Sequence, residues 1–414
     1  MNIYLIFILA FLIFEYVINT YSKYLNINSL KLDIPNSFID FYDKKKYKSS
    51  QKYTIDNSKF SLVVSTINLL ITIIFIITGG FNYIDHYLRQ IIVSNEIVLG
   101  LLYFGILLLL NTSLSIPISY YSTFYIEQKY GFNKSSKRLF LIDQIKGLFI
   151  TILFGSVILF FIFYFFTLFK SNAWIYSWIL ISIFIVFMPT IYINWIAPLF
   201  NEFTKLNDGD LKDKINEYSN KVDFPLKEIF IVDGSKRSSH SNAYFTGFGR
   251  NKRIVLFDTL IEKHSDDEII SIIAHEVGHY KKKHILFNTI ISIISIGIMM
   301  YWLSFFIDNV LLFKAFKMEN LSIYAGILFF SILYSPISLI LGIAMNYFSR
   351  LNEYEADKYS ILTINNKENL ILALKNLSLS NLSNLTPHPF YVFLNYSHPP
   401  VLKRIEAIEK HKKK

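Results

Sequence analysis

Long apolar runs separated by short polar ones dominate this chain. A membrane-crossing helix needs roughly 20 mostly apolar residues to cover ~30 Å of hydrocarbon. Seven stretches meet that length: 3–21, 60–78, 97–118, 148–169, 173–195, 285–307 and 323–348. The first has no basic residue before its apolar run and no small-x-small cleavage site, so it reads as a membrane helix rather than a secretory leader. The spans are almost free of ionisable residues, with Glu15 the exception.

Lys and Arg sort by the parity of the spans. Lys31, Lys44, Lys45, Lys46, Lys48, Lys52 and Lys59 follow the first span; Lys129, Lys134, Lys137, Arg138 and Lys146 follow the third. The segments after spans five and seven are also basic, whereas 83–96, 170–172 and 308–319 carry few cations. This pattern predicts an N-terminus facing the lumen or exterior and a cytosolic C-terminus. The chain then divides into spans one to five with basic loops (1–200), a polar insert (201–284), spans six and seven (285–348) and a C-terminal cytosolic segment (349–414).

Within the insert, 228–233, 241–246 and 253–258 read as short strands. Ser265 reads as a helix N-cap, with Asp266, Asp267 and Glu268 in the first turn, where the helix dipole favours anions. That helix is expected to run through Ala274 to His284 and on into span six. The predicted class is an all-α polytopic membrane protein whose mainly helical cytosolic part contains a small β-sheet.

Composition supports this class and narrows the chemistry. The 414 residues are 53% hydrophobic and only 17% charged, against about a quarter charged in soluble domains. The absence of cysteine excludes a disulfide scaffold, an iron–sulfur protein and a cysteine hydrolase. Any metal must therefore be held by His and carboxylates. The net charge of +10 is explained by topology rather than nucleic acid, and nothing resembles a nucleotide loop.

His275-Glu276-Val277-Gly278-His279 is an H-E-x-x-H sequence on the predicted helix. Its histidines are one turn apart on one face and can reach a single Zn²⁺, while Glu276 sits beside them as general base. A catalytic zinc needs a third protein ligand. Ile285 stands where a third His of one zincin class would be, and His284 points elsewhere on a continuous helix. The only Glu between His279 and Asn352 is Glu319, which parity puts on the far side. Glu353 and Glu355 follow span seven on the correct side. Asp357 shares a helical face with Glu353 and could accept the N–H of a ligating imidazole, which favours Glu353 as ligand over Glu355.

Here the residues resemble a known family, the type I CAAX prenyl proteases, which are integral-membrane zinc metallopeptidases. Beyond H-E-x-x-H, the likeness lies in Ile126-Glu127-Gln128-Lys129-Tyr130-Gly131-Phe132-Asn133 and Ile196-Ala197-Pro198-Leu199-Phe200-Asn201. It continues through the run Ser235 to Phe245, through Arg253 to Leu260, and in Tyr396-Ser397-His398-Pro399-Pro400 with Arg404. The resemblance implies a seven-helix barrel around a chamber, one zinc at its cytosolic end, and residence in the endoplasmic reticulum or inner nuclear membrane. It implies removal of the last three residues from farnesylated or geranylgeranylated C-a-a-X proteins by a monomer in the lipid bilayer.

Asn242 and Ala243 are expected on a strand edge facing the zinc, where an extended peptide could pair. His398 and Arg404 are candidates to stabilise an oxyanion or to anchor Glu353. His86, His264 and His411 read as surface residues. The end Lys410-His411-Lys412-Lys413-Lys414 has the spacing of a dilysine retrieval signal, and also suits a basic tail meeting anionic lipid. Two other readings are a broad membrane quality-control zinc protease and a seven-helix transporter or receptor. The run from Ser235 to Ala243 argues against the first, and the near absence of charge in the spans against the second.

Overall fold

The computed structural model describes residues 2–92, 95–247 and 252–411. Lys412 to Lys414, on which the retrieval-signal reading depends, lie outside the described residues. Each predicted span falls on a helix: Ile3–Asn28, Lys44–Thr78, Glu96–Tyr121, Lys137–Phe169, Ala173–Ile191, His284–Phe306, and the pair Ile323–Leu333 and Ser335–Thr363. Among the described residues, five helical segments are long and apolar enough to cross a membrane, or six if the last pair counts as one. One of the five, Lys137–Phe200, folds back at Lys170–Asn172, so that its two long helices pack against each other.

Two expectations of continuous helix are corrected. The seventh predicted span bends by 54° between Leu333 and Ser335. Pro336 enters the second helix in its first turn, where the missing N–H costs nothing, and it cannot continue the ladder from the first. The helix carrying His275 also stops short of span six. It covers Asp266–Lys281, and Lys283 adopts a left-handed conformation (φ 59°) before a new helix starts at His284. Its start is as predicted, with the Ser265 hydroxyl accepting from the Glu268 amide.

The insert contains β1 (Phe203–Lys205), β2 (Leu226–Val232), β3 (Ala243–Thr246) and β4 (Lys252–Phe257), in sheet order β1-β2-β4-β3. β2 and β4 run parallel, and the other pairs are antiparallel. β2, β3 and β4 match the predicted strands within two residues, and β1 was not expected. β3 is an edge strand, with one side open.

Among the described residues three hydrophobic cores hold the molecule, one of them a small cluster between spans around Phe166, Leu303 and Phe330; the other two lie at its ends. One joins the sheet to the Asp266–Lys281 helix and the C-terminal helices through Leu256, Leu260, Ile273, Val277 and Leu370. Phe38, Tyr42 and Tyr47, from the loop after the first span, are buried in this same core. The other core, around Phe81, Tyr103, Phe316 and Phe329, closes the opposite ends of the spans. The helix Lys44–Thr78 reaches from Tyr47 in one core to Ile76 in the other, about 45 Å at 1.5 Å per residue.

Candidate metal centre

Two helices supply the centre. Asp266–Lys281 carries His275 and His279 one turn apart, and Ser335–Thr363 crosses it carrying Glu353 and Asp357. Their close approach depends on Gly278, inside the H-E-x-x-H sequence. A Cβ there would lie 3.0 Å from both Cα and O of Ala356, closer than ordinary contact. The lack of a side chain at this position lets the second helix bring Glu353 to the histidines.

The ligand atoms of His275, His279 and Glu353 all lie within 4.8 Å of one another. His279 Nε2 is 3.2 Å from Glu353 Oε1, and His275 Nε2 is 3.4 Å from Oε2. Glu353 Oε2 is buried without a hydrogen-bond partner. Its charge is met in part by the Arg404 guanidinium at 3.2 Å, and a cation bound among these atoms would complete its coordination. The two-nitrogen, one-carboxylate donor set fits a first-row divalent ion with an open position.

A further layer fixes the rings. His275 Nδ1 donates to Asp357 Oδ1 at 2.9 Å, which leaves its Nε2 lone pair for a metal. Arg404 grips Asp357 through two bonds, of 2.6 and 2.8 Å, and reaches Glu353 Oε2 at 3.2 Å. His279 Nδ1 lies 3.0 Å from His284 Nδ1, and His284 in turn meets Glu355 at 3.2 Å. The left-handed turn at Lys283 brings His284 back against His279, whereas a continuous helix would have carried it away. Glu355, the competing ligand in the sequence reading, is occupied by that histidine.

The electrostatics follow from this crowding. Burial alone would raise the Asp357 carboxyl, but Arg404 and His275 outweigh it and hold it at about 2. Burial likewise opposes the charge on Glu353, yet His275, His279 and Arg404 pull its carboxyl well below the usual range. Burial would lower the His275 ring, but Asp357 and Glu353 carry it up to about 9. A field that favours a proton on that ring also favours a metal cation. Burial pushes the Glu276 carboxyl up, against the opposing pull of His275 and His279. That shift suits a general base near neutral pH.

Glu276, Asn242, Ala243, His398 and Arg404 line one cavity of about 360 Å³ together with the three ligand residues. Asn242 and Ala243 stand at the start of edge strand β3, as expected. His398 is 65% exposed and lies 3.4 Å from Glu353 Oε1, so it faces the cavity. Arg404 is mostly buried and stands behind the ligands, the place of an anchor.

Several residues at the site had no assigned role in the sequence reading. Asn381 lines the cavity and accepts from the Ser241 amide, and its Oδ1 lies 3.1 Å from His240 Nδ1. His240 stacks on Phe132 at 4.0 Å and meets Glu127 at 3.3 Å. This contact joins two of the segments that carried the resemblance. Leu260, Leu370, Leu374 and Leu377 form an apolar wall to the same cavity. His264 is a correction, since its side chain is fully buried and bonded to Glu268 at 2.6 Å rather than on the surface. It lies in the turn before the N-cap, where packing against the helix decides burial.

Comparison with known proteins agrees with this geometry. Residues 23–202 match the family described as CAAX prenyl protease N-terminal, five membrane helices, and residues 205–412 match peptidase family M48. A CAAX prenyl protease 1 homolog of Arabidopsis thaliana is 34% identical, covering 98% of each chain. CAAX prenyl protease 1 of Saccharomyces cerevisiae is 33% identical over 94% of this chain and 91% of its own. The crystal structure of S. mikatae Ste24p superposes with a TM-score of 0.91 at 33% identity, covering 99% of both chains. The protein is thus a multi-pass membrane metallopeptidase, and it belongs to peptidase family M48 with the type 1 CAAX prenyl proteases.

Proposed function

We propose that this chain is a zinc endopeptidase that removes the C-terminal three residues of farnesylated or geranylgeranylated C-a-a-X proteins. The observation that carries the reading is the convergence of His275, His279 and Glu353 beside an open strand edge, in a chain related over its full length to such proteases. His275, His279 and Glu353 would hold the zinc, which would supply Lewis acidity towards the scissile carbonyl and water.

The chain's own groups do the rest. The free edge of β3 at Asn242 and Ala243 pairs with the extended substrate and sets its register. Glu276 takes the proton of the attacking water and returns it to the leaving amine. His398, exposed to the cavity, donates to the oxyanion, while Asp357 and Arg404 hold the ligands in place. Leu260, Leu370, Leu374 and Leu377 receive an aliphatic side chain after the cut.

A second cavity of about 430 Å³ touches His279 from the opposite end of β3 and is walled by Phe245, Tyr280, Ile185, Val186, Ile285 and Leu286. It opens between the ends of two spans, an apolar setting that supports a lipid-modified substrate. In this reading the spans number seven, counting Lys137–Phe200 as a hairpin and the bent pair as one. They form a barrel in the endoplasmic reticulum or inner nuclear membrane, with the metal on the cytosolic side. The same reading divides the chain at 200, 284 and 348, the last boundary falling within the helix Ser335–Thr363, and has one chain carry a complete site.

Purified protein incubated with a farnesylated C-a-a-X peptide tests the reading. The expected product is an intact tripeptide, suppressed by chelator and restored by zinc. Glu276→Ala should retain zinc and lose at least about 100-fold in turnover. Near-normal turnover in that variant, or degradation of unrelated unfolded proteins in place of the peptide, would overturn it.

A further inference from the structure

Seven lysines follow the first span, and Lys31, Lys44, Lys45, Lys46, Lys48, Lys52 and Lys59 are all exposed. Lys23 behaves differently. It is half-buried and lines a cavity of about 510 Å³, where its Nζ donates to Ser61 Oγ at 2.7 Å. The other polar walls are neutral and include Tyr53, Asn57, Asn381 and Asn384; no carboxylate lines the cavity among the described residues. None of the described carboxylates forms an ion pair with Lys23 either. An ammonium in a partly enclosed cavity with no counterion and several neutral hydrogen-bonding side chains along the walls is a setting that suits an anion.

The position of this cavity bears on which anion it would take. Asn381 lines both it and the metal cavity, so the two meet at that side chain. Asn381 also holds Ser241 and His240, the residues that lead into β3. A peptide paired antiparallel to β3, the more stable arrangement, runs C-terminally as β3 runs N-terminally. Its residues beyond the cut therefore pass Asn242 and Ser241 and head for Asn381. Three extended residues reach about 10 Å past the metal, and they end in a carboxylate.

We propose that Lys23, with the neutral donors around it, binds the free α-carboxylate of the substrate's C-terminal residue, and so sets how many residues are removed. The inference rests on the C-a-a-X reading above. It makes Lys23 a specificity residue, remote from the reacting atoms.

The test uses the full chain in zwitterionic lipid and two farnesylated peptides of one sequence, ending in a free acid or a carboxamide. Wild type should cleave the acid with kcat/KM about tenfold or more above the amide, mainly through KM, as expected for a charge-assisted hydrogen bond. In Lys23→Met the acid-to-amide ratio should fall to about one, and Lys23→Arg should keep most of it. Because the ratio is taken within one preparation, partial misfolding does not change it. Equal cleavage of both peptides by wild type, or an unchanged ratio in Lys23→Met, would overturn the assignment while leaving the protease reading intact. A ratio that persists while Lys23→Met loses a dependence on added anionic lipid would assign the cavity to a lipid headgroup and overturn it too. Cleavage of neither peptide by wild type would instead sink the C-a-a-X reading, and this inference with it.

Discussion

Two buried aspartate–arginine pairs stand at opposite ends of the helical bundle, built from the same chemistry and put to different uses. At the end away from the metal, Asp85 is fully buried and accepts from Arg89 at 2.9 Å, from Asn320 at 3.2 Å and from the Tyr324 hydroxyl. Arg89 continues to Glu96 at 2.7 Å. Both oxygens of Asp85 are met, and the pair ties the helix Gly80–Ile91 to the bent seventh span. At the metal end, Asp357 and Arg404 are bonded just as closely, yet the cluster they belong to is left open at one point. Glu353 Oε2 is ion-paired to Arg404 but accepts no hydrogen bond, and two imidazole Nε2 atoms aim at the same place. Burial and ion pairing are common to both ends. Convergence of unsatisfied donor atoms on one point occurs only at the second, and it separates a chemical site from a structural tie.

The largest expected effect is at the metal end. Asp357→Asn removes the acceptor that fixes His275, and zinc affinity should fall by about 10–100-fold. Turnover measured against free zinc should recover at high metal. Wild-type affinity in the variant would show that the contact is only structural, like its counterpart at the other end.

Next in size is Asp85→Ala. Breaking a fully buried pair costs ~3–5 kcal/mol, and because Arg89 keeps Glu96 and is partly exposed, about 2–3 kcal/mol is expected. The melting temperature should drop while turnover per folded molecule and zinc content hold. A change in zinc content would erase the distinction between the two ends.

The smallest effect concerns His264, whose Nδ1–H donates to Glu268. Burial lowers its ring below the ordinary histidine value, against the pull of Glu268. The unfolded chain therefore takes up a proton below about pH 6.5 before the folded chain does. Its contribution to stability is present above that pH and is lost as pH falls towards the folded value. Between pH 6.5 and 5.5, at saturating zinc, wild type should lose melting temperature faster than His264→Gln. Parallel curves would show that His264 contributes nothing to acid sensitivity.

What could be read from the order of residues follows how local each feature is. The apolar runs and the H-E-x-x-H pair depend on lipid thickness and on one turn of helix; each apolar run falls on helix, although the last is broken by a 54° bend, and the two histidines lie one turn apart. The preference for Glu353 over Glu355 needed only the parity of two spans and a shared helical face with Asp357. By contrast, His284 meets His279 because one residue, Lys283, takes a left-handed conformation that nothing in a run of three lysines signals. Phe38, Tyr42 and Tyr47 belong to the hydrophobic core that packs the sheet and the Asp266–Lys281 helix, although their segment reads as a basic membrane connection. His264 looked exposed because its neighbours are polar, and packing buried it.

By itself, the sequence determined the class of the molecule and singled out His275, His279 and Glu353, which the fold brings together, since these follow from periodicity, composition and connectivity. The tertiary structure decided that Gly278 admits the second helix, that Arg404 stands behind the ligands while His398 faces the cavity, and that Asn381 joins the metal cavity to Lys23. Those relations join segments up to hundreds of residues apart. They are set by which surfaces pack together, a property of the folded whole that no local pattern encodes.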